Sequence, residues 1–121
     1  MKRILIVDDE EKVRKLVEVT LSVGGLEIVH ASSGDEALRV ARETRPNIIL
    51  LDIMMPGGLD GFDVCRVLKE DPDTKDIYII MLTAKGQEAD RKRGFAVGAD
   101  DYIVKPFSPM ELMDKIDAIL A

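Results

Sequence analysis

The chain has 121 residues, 46% hydrophobic and 33% charged, the latter above the usual ~25%, so residues 1–121 read as a single domain with a packed core and a heavily charged surface. Seventeen Lys and Arg against 23 Asp and Glu leave a net charge of −6, which repels phosphate backbones and anionic lipid heads and argues against nucleic-acid or membrane binding by this domain. The first apolar stretch stops at Asp8, too short for a leader or a span, and the single Cys65 has no internal disulfide partner, so the expected compartment is the cytoplasm.

Five short apolar runs then alternate with helical patterns. Residues 4–7 form a branched-aliphatic run ending at Asp8 and Asp9, and Val13, Leu16, Val17, Thr20 and Leu21 mark one face of a first helix. Gly24 and Gly25 offer that helix a stop, because a residue without a Cβ takes left-handed backbone freely. The second run, 27–31, carries Glu27 and His30, as an edge strand does, and His30 reads as strand filler. Ser33 with Glu36 reads as a capping box for a second helix faced by Ala37, Leu38 and Ala41. The third run, 47–51, ends at Asp52, and a helical stretch over 62–68 places Cys65 as packing. The fourth run, 77–82, ends at Thr83, and Gly98 closes the helix that follows. The fifth, 101–104, opens on an acid and ends at Lys105-Pro106; Ser108, Pro109 and Glu111 then supply cap, first-turn proline and capping-box acid for the last helix.

Runs one, three and four are almost purely aliphatic, so they are predicted as central strands buried on both faces, with the second and fifth at the edges. The simplest order is 2-1-3-4-5, an α/β flavodoxin-like doubly wound parallel sheet. Right-handed crossovers put helices 1 and 5 on one face and helices 2, 3 and 4 on the other. Such a sheet binds ligands at the carboxyl ends of strands 1 and 3. Asp8, Asp9, Asp52, Thr83 and Lys105 all fall at strand ends on that edge. Three carboxylates in one crevice repel unless a cation or protons relieve them, and an oxygen-only ligand set suits Mg²⁺. A metal, a hydroxyl and an ammonium group make a clamp for a phosphoryl group, and a carboxylate can be the nucleophile, giving an acyl phosphate.

The segments ILIVDDE, LLDIMMP, MLTAK and GADDYIVKPFSPMEL resemble the receiver domains of two-component response regulators, and the resemblance covers the whole chain. The last segment is most similar to receivers attached to winged-helix transcription factors, although Asp117 falls where a basic residue is frequent in that group. The resemblance implies that Asp52 accepts a phosphoryl group from a sensor histidine kinase or phosphotransfer protein. It implies Mg²⁺ held by Asp9, Asp52 and the backbone carbonyl of Met54, with Asp8 acting through water. Lys105 would pair with Asp52 and then with the phosphoryl oxygens, Thr83 and the amide of Ala84 would bind another oxygen, and Lys105-Pro106 would be cis. Thr83 would move toward the phosphoryl group while Tyr102 rotates, repacking the face of helix 4, strand 5 and helix 5. Arg91, Asp100, Asp101, Glu111 and Lys115 put both signs on that face, which suggests a phosphorylation-dependent homodimer. Met54 and Lys85 stand where the family varies and where side chains shield or orient water. One departure is the segment Pro56-Gly57-Gly58-Leu59-Asp60-Gly61, which has one residue more than the family's usual spacing between proline and Asp-Gly.

Three other classes compete. A magnesium-dependent phosphohydrolase of the haloacid dehalogenase type would carry its nucleophile in an Asp-x-Asp motif after the first strand, whereas here the acids are adjacent. A flavin or nucleotide binder would want a glycine- or hydroxyl-rich loop after strand 1. A degenerate interaction module would have lost part of the acidic set, and none is missing.

Overall fold

The computed structural model describes residues 2–84 and 88–121, with Val23 as backbone only. The elements are β1 (Arg3–Val7), α1 (Glu11–Leu21) with a 3-10 turn at Ser22–Gly24, β2 (Glu27–Ala31), α2 (Gly34–Thr44), β3 (Ile48–Asp52), α3 (Gly61–Glu70), β4 (Tyr78–Ala84), α4 (Glu88–Ala96), β5 (Asp101–Lys105) and α5 (Pro109–Leu120). The five strands form one parallel sheet in the order β2-β1-β3-β4-β5, as the aliphatic runs predict.

Strand alternation divides the interior into two cores. Ile4, Ile6, Ile48, Leu50, Ile80, Leu82 and Ile103 point to the face covered by α1 and α5 through Val17, Leu21, Leu112 and Ile116. Leu5, Val7, Ile49, Leu51, Ile79 and Met81 point to the other, where Ala37 and Ala41 of α2 and Phe62, Val64, Cys65 and Leu68 of α3 meet them. Each buried aliphatic side chain stabilises the fold by about 1.5–3 kcal/mol relative to exposure. All five residues of β3 are buried, whereas β2 buries only Ala31 fully, the burial expected of a central and an edge strand.

Four strands differ in their limits from the sequence reading: β1 begins one residue earlier at Arg3, β5 ends one later at Lys105, and β3 and β4 shift at both ends. Asn47 precedes β3 and stitches its start, its side-chain Oδ1 accepting from Arg3 N at 2.9 Å and its carbonyl from Tyr78 N at 3.1 Å. Ile77 closes a turn by donating to Thr74 O at 3.1 Å, so β4 starts one residue later and runs through Thr83 to Ala84, paired with Val104 and Lys105.

Both cap residues hold, but among the described hydrogen bonds neither predicted capping box closes back on its cap residue. Ser33 accepts from Glu36 N at 3.2 Å, but the Glu36 carboxylate returns to Ser32 N at 2.6 Å instead of to the cap residue. Ser108 accepts from Glu111 N at 3.1 Å. Gly25 and Gly98 take positive φ, 72° and 105°, at the ends foreseen for them.

Candidate functional site

The acidic cluster forms where β1 and β3 end. Asp8 N extends the ladder to Ala31 O at 3.1 Å, and the Asp8 side chain turns into the crevice with no solvent exposure. Its Oδ1 accepts from Glu10 N at 2.9 Å and its Oδ2 from Lys105 Nζ at 2.7 Å. Asp52, last residue of β3, is 6% exposed, while Asp9 is open to solvent. One carboxylate oxygen from each of Asp8, Asp9 and Asp52 lies within 4.8 Å of the others. Lys105 reaches across from β5, 3.3 Å from Asp52 Oδ1 but closer to Asp8, and the Lys105-Pro106 peptide bond is cis. The pairing expected with Asp52 is therefore shared, with Asp8 as the nearer partner.

Burial pushes the Asp52 carboxyl up to about 6, and the neighbouring Asp8 charge adds to the rise. The charge and hydrogen bond of Lys105 and a hydrogen bond from the Met54 backbone pull the other way without cancelling it. For Lys105, burial pulls the ammonium down, but the Asp8 hydrogen bond and the two carboxylate charges outweigh it and leave it raised. One ammonium facing three carboxylates leaves excess negative charge. An all-oxygen donor set of this kind fits Mg²⁺, and the residues present suit it. Beside the cluster, Thr83 is 1% exposed and its Oγ1 has no hydrogen-bond partner among the described residues.

The loop after Asp52 is pinned at its far end. Gly61 donates to Ile53 O at 2.9 Å, and a Cβ there would lie 2.8 Å from Ile53 Cα and closer still to the Asp52 carbonyl. Gly34 at the start of α2 packs with equal tightness on Leu59, where a Cβ would come 2.7 Å from the Leu59 Cβ. Asp60 and Asp63 form a full capping box for α3 that sequence reading missed. Between these pinned points residues 56–58 are exposed, and a Cβ on Gly58 would meet nothing within 4 Å. Met54 is 76% exposed beside Asp52; Lys85 lies outside the described residues.

On the α4-β5-α5 face, Tyr102 is half-buried, edge-on to Phe95 at 5.9 Å and covered by the Arg91 guanidinium 3.9 Å from its ring centre. The charges there are mostly engaged within the chain: Arg91 with Glu88, Lys115 with Asp101 at 3.0 Å, and Asp100 with Lys69 at 2.8 Å and Ile79 N at 2.9 Å. Asp100 thereby ties β5 to α3 instead of standing free on the face, whereas Glu111 is exposed. Away from the cluster, His30 pairs with Glu18 at 3.4 Å, and burial pushes the Cys65 thiol up to about 11, as suits packing without reactivity.

Residues 4–117 match the family profile described as response regulator receiver domain. The transcriptional regulator ycf27 of Pyropia yezoensis is 48% identical over 119 residues, 98% of this chain and 47% of that protein. The phosphate regulon transcriptional regulatory protein PhoB of Pseudomonas aeruginosa is 49% identical over 119 residues, 98% of this chain and 52% of that protein. The chain spans about half the length of these curated relatives. Among solved structures, the chemotaxis response regulator CheY4 of Vibrio cholerae superposes with a TM-score of 0.91 at 34% identity, covering 98% of each chain.

Proposed function

The chain belongs to the response regulator receiver family, and from that membership we propose that Asp52 accepts a phosphoryl group from a phosphohistidine on a sensor histidine kinase or phosphotransfer protein. The protein is a two-component signalling switch, which sets aside the phosphohydrolase alternative. The observation that carries the assignment of roles is the convergence of Asp8, Asp9 and Asp52 under Lys105, beside a buried Thr83 hydroxyl that has no hydrogen-bond partner among the described residues.

An Asp52 carboxylate oxygen attacks phosphorus as the phosphorus–nitrogen bond breaks, and the imidazole leaves with that electron pair. Asp9, Asp52 and the Met54 carbonyl would hold Mg²⁺, with Asp8 acting through water, and the ion would supply neutralisation of carboxylate and phosphoryl charge. Lys105 exchanges part of its pairing with Asp8 and Asp52 for a phosphoryl oxygen. Thr83 finds its partner in another, with the Ala84 amide alongside, and the same groups assist transfer from small donors and later loss to water. A phosphoryl group brings about −1.5 to −2 charge to this point. Thr83 senses it, Tyr102 turns inward, and the α4-β5-α5 face changes its packing, so that a second copy or an output partner binds it differently. We assign the domain to the cytoplasm.

Incubation with acetyl phosphate or phosphoramidate and Mg²⁺, followed by intact-mass spectrometry, tests the reading. Wild type is expected to gain one phosphoryl mass that chelation prevents and that Asp52→Asn does not gain. Label persisting in Asp52→Asn would move the acceptor elsewhere.

A further inference from the structure

Successive side chains of an extended strand point to opposite faces, yet the carboxylates of Asp8 and Asp9 converge on one point. The backbone must therefore bend between them, and the bend has to be held. Asp8 itself still belongs to the sheet, its N–H bonded to Ala31 O at 3.1 Å. From there the chain turns into α1, where Val13 N and Arg14 N both donate to Glu10 O, at 3.1 and 3.3 Å. The turn is closed on one side by the Asp8 carboxylate, which takes Glu10 N at 2.9 Å. On the other side, Arg14 reaches back from the first turn of α1 and its Nη1 donates to the Asp8 carbonyl at 2.6 Å. Asp9, exposed and bracketed by these two points, takes its direction from the backbone that they hold.

We propose that Arg14 is a positioning residue for the acidic cluster: by clamping the Asp8 carbonyl it holds the bend that turns the Asp9 carboxylate toward Asp52. The inference rests on the reading of this cluster as the Mg²⁺ site. The contact is a short charge-assisted hydrogen bond to a carbonyl that the strand ladder no longer uses, and such bonds are roughly twice as strong as neutral ones. Arg14 is half-buried and, among the described residues, its Nε is sealed from solvent without a partner, which leaves the Asp8 carbonyl as the acceptor the guanidinium meets. Lys15, next in the helix, is exposed and serves as a control of equal charge.

The experiment is titration with Mg²⁺ alone, read by backbone amide shifts of the unphosphorylated protein, for wild type, Arg14→Met, Arg14→Lys and Lys15→Met. Arg14→Met keeps the aliphatic stem and loses the donor; it is expected to weaken Mg²⁺ about tenfold, in the range seen when a partner that orients ligands is removed. Arg14→Lys should recover part of that loss, and Lys15→Met should stay within about threefold of wild type, since a surface charge acts weakly through water. At saturating Mg²⁺ the extent of Asp52 labelling in Arg14→Met should return to the wild-type value, because the nucleophile and Lys105 are untouched. Mg²⁺ affinity unchanged in Arg14→Met, or weakened equally in Lys15→Met, would overturn the positioning role while leaving the site standing. A wild type without Mg²⁺-dependent shifts at Asp8, Asp9 and Asp52 would remove the site and this proposal together.

Discussion

Asp52 carries its charge where charge is least welcome, walled from water and facing Asp8, with its carboxyl raised from the ordinary 3.8 to about 6. Between those two pH values the folded protein holds a proton that the unfolded chain releases, so stability falls as pH rises through the window and the penalty is complete above it. An asparagine cannot ionise and escapes the penalty. Without divalent cation, Asp52→Asn should therefore be more stable than wild type at pH 7 by about 1–3 kcal/mol, with the gap closing near pH 4. Urea unfolding of both proteins at the two pH values checks this, and an unchanged midpoint at pH 7 would contradict it. The same residue was legible in the sequence because it ends an aliphatic run, as do Asp8, Thr83 and Lys105. Arg14 was not, since an arginine one turn into a helix looks like any solvated charge until the fold shows which carbonyl it meets. Nor was the closer tie of Lys105 to Asp8, a contact across 97 positions of sequence that only the parallel register creates.

At the level of elements, the start of α3 sets the position of Asp52 from behind. The Asp60–Asp63 capping box fixes where the helix begins, and Gly61 lets it press against the Asp52–Ile53 backbone. A methyl group there has rigid main chain in its way, so Gly61→Ala should destabilise by about 2–3 kcal/mol, the upper part of the range for overpacking, and should slow Asp52 labelling. Gly58→Ala, in open space and without positive φ, should stay within about 0.5 kcal/mol. Chemical denaturation and a labelling time course separate the two, and equal behaviour would mean that the loop yields. Strand type and order could be read from sequence because β-branched runs declare themselves. The α3 box could not, since Asp at the third helical position is an unusual partner in a pattern that favours Glu or Gln. The α2 terminus hid similarly: it ends on Arg45 at φ 46°, where a glycine would have announced the stop.

For the molecule as a whole, a net charge of −6 and a face whose charges are mostly engaged within the chain work against self-association. A pair exchanged for an equivalent one across an interface gains little, since exposed pairs contribute only about 0–1 kcal/mol. The unphosphorylated protein should therefore sediment as a monomer, and association should appear only with acetyl phosphate or beryllofluoride. Sedimentation velocity over a concentration series checks this; a dimer of equal strength with and without the phosphoryl group would show that the face does not respond. The open ribbon at Gly58 has a practical use as well. The chain contains no tryptophan, so a single indole installed at that spot would be spectroscopically alone, a fluorescent reporter six residues beyond Asp52 with which to follow, in real time and without radiolabel, the proposed phosphoryl transfer.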